Sequence, residues 1–168
     1  GLEHGFHRIN GWRWTRVYPT ESDHSPHSCS NLNGSGTLLK ANLFSKLGGL
    51  DESLFIDHVD TDWAFRVLSA KLQLFGIPDA RFDHAMGESS LRFWCLGWRI
   101  WPKRSPTRHY YLFRNAIWLM KRSYVPTTKL ALTILVHLTI DPSRKQQCVQ
   151  MAAGIRAGLL APKMSSHR

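Results

Sequence analysis

The sequence predicts an α/β fold: a short mixed sheet with helices, followed by a helical, basic tail. Three observations carry that prediction. Apolar residues recur at helical spacing behind a cluster of acids near residue 60, short β-like runs flank that helix, and the charge changes sign along the chain. Up to Glu88 there are eight Lys/Arg against eleven Asp/Glu; beyond it, fourteen Lys/Arg stand against Asp141 alone. With 168 residues, 43% of them hydrophobic, the chain is long enough for one ordinary domain. Three regions are expected: an irregular segment over 1–32, an α/β part over 33–90 and an aromatic-rich helical tail over 91–168.

The chain opens on Gly1 and shows no charged n-region followed by an apolar h-region, so no signal peptide is expected and a fragment is. Cys29, Cys95 and Cys148 are odd in number and far apart, which argues against a disulfide framework or a metal knuckle and for a reducing compartment. Residues 1–32 are polar, with Trp12, Trp14, Pro19, Pro26 and the histidines His4, His7, His24 and His27, and read as a loop or an ordered excursion. The spacing of His24, His27 and Cys29 could hold a metal but lacks a fourth ligand; solvated loop histidines are the plainer reading.

From Asn33 the chain changes character. Gly34, Ser35 and Gly36 leave room for a ligand or another backbone to approach, or simply turn the chain into a short strand at Thr37, Leu38 and Leu39. Leu43, Phe44 and Leu47 follow at helical spacing, and Gly48 is the expected left-handed cap.

Val59, Trp63 and Val67, with Ala64 and Leu68, then give one apolar helix face. Asp57, Asp60 and Asp62 fall at its first turn, where the exposed amides favour each carboxylate by roughly 0.3–1 kcal/mol. A cap accounts for one or two of them; a third adds repulsion that capping does not require. Asp60 and Asp62 lie about 200° apart around the helix, so if one faces a cleft the other points elsewhere. Lys71–Ile77 reads as a strand, Pro78 and Asp79 as a turn, and Ala80–His84 as a second short strand. His84 thus falls at a strand end, where open α/β sheets commonly bind ligands, although a lone histidine is more often structural.

Beyond Glu88 the pattern is helical. Pro106–Arg122 is a helix in which Tyr110, Phe113 and Ile117 form a core stripe and Arg114 caps or pairs. Leu130–Ile140 is a second apolar run, Gln146–Leu160 a last helix, and the chain from Pro162 is expected to fray. Neither apolar run reaches the roughly 20 residues a bilayer span needs, which leaves interfacial or buried helices. Basic residues interleaved with Trp94, Trp98, Trp101, Tyr110, Tyr111 and Trp118 suit anionic lipid headgroups. Nucleic acid competes as a polyanionic partner, but no zinc knuckle, RNP-like strand or helix-turn-helix pattern supports it. There is no P-loop, GxGxxG, HExxH or GxSxG.

The order SGTLL, a helix, GGLDESLFIDHVDTDWAFR, a strand, GIPDARFDHAMGESS and SPTRHYYLFRNAIWL, running over about 33–124, resembles the C-terminal half of family-two glycosyltransferases with the GT-A fold. Within them it is most similar to the rhamnosyltransferase-like branch, with a weaker echo in GIRAGLL. The resemblance implies that 33–90 is the acceptor-side half of a GT-A catalytic domain. It places the family's acidic base motif on Val59, Asp60, Thr61 and Asp62, with Arg66 as the arginine that ends it. Val59 stands where the wider family has an acid, as this branch has it.

Asp60 is then the implied general base, with Asp62 beside it in the catalytic motif. Gly34, Ser35, Gly36, Asp57 and Trp63 are the implied substrate contacts, and His84 the implied ligand of a divalent cation, Mg²⁺ or Mn²⁺. The implied partners are a nucleotide-diphospho-sugar donor, dTDP-rhamnose, and a glycan or lipid-linked saccharide acceptor in cell-surface polysaccharide synthesis. The implied place is the cytoplasm, at the inner face of the cell membrane. Such enzymes bind their donor with an N-terminal βαβ half and an Asp-x-Asp motif after a strand, and this sequence has no such half. Asp60–Thr61–Asp62 has the letters but opens a helix. A non-catalytic membrane-surface module and a basic nucleic-acid-binding module are the alternatives.

Overall fold

The computed structural model describes residues 5–10, 13–81, 90–94, 98–102, 104–122 and 144–161. They fall into two compact units, one of Gly1–Ser53 with Val59–His84, the other of Leu54–His58 with Ala85–Ser166. The segment 1–32 clusters with the helix that carries Asp60.

In the first unit, β1 (Phe6–Asn10) and β2 (Arg13–Val17) pair antiparallel, with Asn10 opposite Arg13. Of the loop and the ordered excursion read over 1–32, this hairpin fits the second. Its signal was present: the two runs are separated in the sequence by Gly11-Trp12, a Gly-X pair of the kind two-residue hairpin loops favour, and FHRIN and RWTRV carry the aromatic and β-branched residues that fit a pleated surface. β3 (His27–Cys29) pairs antiparallel with β4 (Leu74–Gly76), Cys29 opposite Leu74. A bridge between His7 and Asn31, and the Ser30 amide donating to the His7 carbonyl at 2.7 Å, tie β1 to the chain after β3.

Between β3 and β4 lie α1 (Ala41–Lys46) and α2 (Val59–Ser69). Gly48, at φ 81°, ends α1 as expected. The Gly49 amide reaches the Phe44 carbonyl at 3.0 Å and the Gly48 amide reaches Ser45 at 3.1 Å, the paired bonds of a Schellman cap. The strand expected at Thr37–Leu39 does not form. The Thr37 amide donates to the Gly34 carbonyl and its hydroxyl to the Asn33 carbonyl, closing a turn that leaves Leu38 97% exposed. A three-residue apolar run with no neighbouring strand has nothing to pair with.

α2 buries Trp63, Ala64 and Val67 with Cys29 and Leu74, and Phe6, Leu32, Phe44, Leu47 and Leu68 pack around them. The stripe read from the sequence is thus the core of this unit. α2 ends like α1, but with Lys71 at φ 59° in the glycine position: the Leu72 amide reaches Val67 at 3.2 Å and the Lys71 amide reaches Leu68 at 2.9 Å. Because Lys71 and Leu72 serve the cap, the strand expected over Lys71–Ile77 shrinks to β4.

In the second unit, β5 (Ser90–Trp94) and β6 (Trp98–Pro102) form an antiparallel hairpin with Trp94 opposite Trp98. This corrects the helical reading of the chain just beyond Glu88. The segment is rich in aromatic residues, which favour strands, and its basic character hid that preference. α3 (Pro106–Lys121) starts as its sequence dictates: Pro106 sits in the first turn and the Ser105 hydroxyl accepts from the Arg108 amide at 3.3 Å. It packs on α4 (Arg144–Leu160), with Ile117 and Arg114 against Gly158 and Lys121 Nζ donating to the Leu159 and Ala161 carbonyls at 2.8 and 2.7 Å. Gly154 and Gly158 bring the two backbones close, since a Cβ at Gly154 would strike the Tyr110 carbonyl. No helix among the described residues is long and apolar enough to cross a membrane. The expected strand end at His84, the run Leu130–Ile140 and the chain from Pro162 lie outside the described residues.

Candidate active site

The three carboxylates at the start of α2 have three different surroundings. Asp60, on the first turn, is half-buried and faces the Gly34 turn of the first unit. A Cβ at Gly34 would lie 2.8 Å from Asp60 Oδ1 and 3.3 Å from Oδ2, so a larger residue there would make the carboxylate shift. Among the described residues the Asp60 carboxylate has no hydrogen-bond or ion-pair partner. Two of the expected site elements, Gly34 and Asp60, are thereby brought together. Ser35 and Gly36 continue the same turn, Gly36 at φ 78°.

Asp62 is buried outright and accepts from Arg66 Nε at 2.9 Å. Arg66, one turn further along α2, also donates to the Leu47 and Gly49 carbonyls, each at 2.6 Å. One guanidinium thus ties the capped end of α1 to the start of α2, and its face lies over the Trp63 ring at 5.1 Å. Asp62 is the counter-charge of that tie and offers no oxygen to solvent, in keeping with the angular separation from Asp60 read in the sequence. Trp63, an expected substrate contact, is a core residue 5% exposed, its ring 5.1 Å from Phe44.

Asp57 belongs to the second unit. Both its oxygens are taken by Arg108 of α3, Nε to Oδ2 at 3.0 Å and Nη2 to Oδ1 at 3.2 Å, the fork geometry that makes arginine–carboxylate pairs strong. The loop that carries it is strained. Phe55, Asp57 and His58 have φ of 62°, 60° and 63°, a region in which a residue with a Cβ costs of order 1–3 kcal/mol. Asn115, fully buried in α3, donates to the carbonyls of Leu54, Ile56 and Asp57 at 2.8, 2.8 and 3.0 Å. Its Oδ1 accepts from Arg114 Nε at 2.9 Å, and Arg114 Nη2 reaches the Leu54 carbonyl at 3.2 Å. Arg114 therefore pairs, as expected, and its guanidinium also stacks on Trp118 at 4.3 Å and Tyr111 at 4.7 Å. Of the expected stripe, Phe113 and Ile117 are buried and Tyr110 is half-buried, whereas the burial of His109 and Asn115 was not foreseen. His109 Nδ1 donates to the Ser105 carbonyl at 3.1 Å, which fixes its tautomer.

Of the loop histidines, His24 is exposed, as a solvated histidine is, and His27 is half-buried. His24 bonds Asp79 at 2.8 Å and His27 bonds Asp23 at 2.7 Å. The Ser25 hydroxyl and amide, with His27 behind them, hold the Asp23 carboxyl below its ordinary 3.8. Burial pushes the Cys29 thiol above its ordinary 9.0. Among the described residues no three His, Cys, Asp or Glu side chains converge on a point.

Within the first unit the arrangement can support general-base chemistry: Asp60 is a carboxylate with no partner among the described residues, while Asp62 is neutralised by Arg66. The chain is 36% identical over 134 residues, 78% of its length, to dTDP-rhamnosyl transferase RfbF of Shigella flexneri. The resemblance to a rhamnosyltransferase-like glycosyltransferase read from the sequence motifs is thus met in a named relative. The matched part spans 44% of that relative, under half its length. No family model matches the chain, and no solved structure matches it.

Proposed function

We propose that the chain is the acceptor-side part of an inverting rhamnosyltransferase of the GT-A fold, in which Asp60 is the general base. Asp60 Oδ removes the proton from an acceptor hydroxyl. The freed oxygen forms its bond to the anomeric carbon from the face opposite the leaving group, as the bond to the diphosphate breaks and its electron pair leaves with the nucleoside diphosphate. The observation that carries this reading is the division of the acid cluster: Asp57 and Asp62 are held by arginines, while Asp60 is unpaired among the described residues and faces a glycine turn. Gly34, Ser35 and Gly36 would line the acceptor beside it. dTDP-rhamnose as donor follows the relative's name, and a glycan or lipid-linked saccharide is the acceptor class. The proposed place is the cytoplasmic face of the membrane, with the basic region toward anionic lipid.

The Mg²⁺ or Mn²⁺ implied by the resemblance finds no donor set among the described residues, because Asp57 and Asp62 are committed to arginines and nothing else converges on Asp60. No step here runs through a cation, and His84, its implied ligand, lies outside the described residues. The test is Asp60→Asn in the full-length protein carrying this chain. Transfer from dTDP-rhamnose should fall by about 10²–10⁴ while donor affinity persists, and retained transfer rejects Asp60 as the base.

A further inference from the structure

We propose that Phe55 and Tyr111 form a stacking platform for a pyranose ring of the saccharide acceptor. The proposal rests on the reading of the protein as a rhamnosyltransferase, and the platform lies wholly within the second unit, in Leu54–His58 and α3. Phe55 is held where an unassisted chain would not put it. Its φ of 62° is left-handed, a conformation that favours glycine. Its residue surface is 72% exposed, so burial does not repay that strain, and the packing of the loop falls to Leu54 beside it, which is 0% exposed. Backbone strain of this kind persists only where the surroundings over-determine it, and it gathers where proteins meet ligands.

What over-determines it comes from α3. The buried Asn115 donates to the carbonyls of Leu54 and Ile56, the residues on either side of Phe55, and to that of Asp57. Arg114 Nη2 reaches the Leu54 carbonyl at 3.2 Å, and the same guanidinium lies 4.7 Å from the Tyr111 ring. One arginine thus fixes both the backbone before Phe55 and the ring that Phe55 meets. The two rings stand 4.9 Å apart, tilted by 44°, with Tyr111 half-buried. A buried carboxamide and a guanidinium are therefore committed to placing an aromatic ring in solvent. Size and chemistry select the occupant. Aromatic side chains bury about 150–250 Å² each, so two of them fall well short of the roughly 800 Å² per partner of a stable protein interface and suit one ring of a ligand. An aromatic face carries negative charge density, and the C–H hydrogens on one face of a pyranose present an apolar, weakly positive surface to it. Because the protein rings are already in place, stacking on them costs little further ordering.

The experiment uses the full-length protein carrying this chain, with methyl α-L-rhamnopyranoside and methyl N-acetyl-β-D-glucosaminide as probes, read by saturation-transfer NMR per folded molecule. Saturation should concentrate on the C–H protons of one face of the sugar ring. Phe55→Leu, which keeps an apolar side chain but removes the aromatic face, should weaken binding about three- to tenfold, and Phe55→Trp should retain it. Phe55→Gly removes the ring together with the Cβ at the left-handed position, and should lose binding while keeping the wild-type denaturation midpoint. A lowered midpoint with binding kept marks Phe55 as a packing residue and overturns the platform. Wild-type binding by Phe55→Leu, or no saturation of either glycoside by the wild type, overturns it as well. Displacement of the glycosides by dTDP gives the rings to the donor's base and overturns the saccharide assignment. Glycoside binding by a wild type that transfers no rhamnose rejects the proposed activity and leaves the rings a saccharide site, whereas transfer without glycoside binding rejects the platform alone.

Discussion

At the scale of single residues, the acid cluster shows how partners, rather than spacing, assign roles. Asp62 pairs with a guanidinium only 10% exposed, and removing one partner of such a pair strands the other charge. Asp62→Ala should therefore cost about 3–5 kcal/mol, read from chemical denaturation. Asp23 carries a pH dependence. Its folded carboxyl is depressed below 3.8 by Ser25 and then His27, so the stability it lends is present above the unfolded value and lost as pH falls through the folded one. Carbon-13 NMR titration of Asp23 should give a midpoint below 3.8, and a midpoint above it contradicts the contact. The separation of Asp60 from Asp62 was legible in the sequence, because 100° per residue fixes it. The partner of Asp57 was not, because Arg108 lies 51 residues away and only the folded chain brings it near. Trp63, on the apolar stripe its helical spacing marked, is a core residue, and its part as a substrate contact is what the resemblance implied.

At the scale of elements, helices were readable and short strands were not. α1, α2, α3 and α4 each have a long apolar period or a clear end signal, as Gly48 shows for α1 and Ser105-Pro106 for α3. The hairpins β1–β2 and β5–β6 have five-residue strands whose pairing partners lie a turn away, and their basic, aromatic composition resembled an irregular or helical surface. Thr37–Leu39 erred the other way, as an apolar run with no strand beside it. Lys71, the residue at φ 59° that closes α2, gives an element-scale prediction. Lys71→Gly removes the left-handed penalty and should stabilise the chain by about 0.5–1 kcal/mol, seen as a higher denaturation midpoint; a lower midpoint contradicts the cap.

At the scale of the whole molecule, the charge division read from the sequence runs alongside the division into two units. Asp60 and Asp62 begin α2 in the first, Asp57 falls in the second, and most of the basic residues follow Glu88. If that basic region meets the membrane surface, the protein should sediment with phosphatidylglycerol liposomes at low salt and release as salt rises, while RNA of equal charge binds no better. Indifference to liposomes contradicts the proposed location and leaves the site untouched.

The central claim is that one carboxylate of three does the chemistry. It is tested most directly by comparing Asp60→Asn with Asp62→Asn in the full-length protein, with rhamnosyl transfer measured per folded molecule and donor binding measured alongside. The account predicts that Asp60→Asn folds normally, binds donor and loses turnover by about 10²–10⁴, whereas Asp62→Asn loses stability but keeps turnover in the molecules that remain folded. Turnover retained by Asp60→Asn and abolished by Asp62→Asn would contradict it.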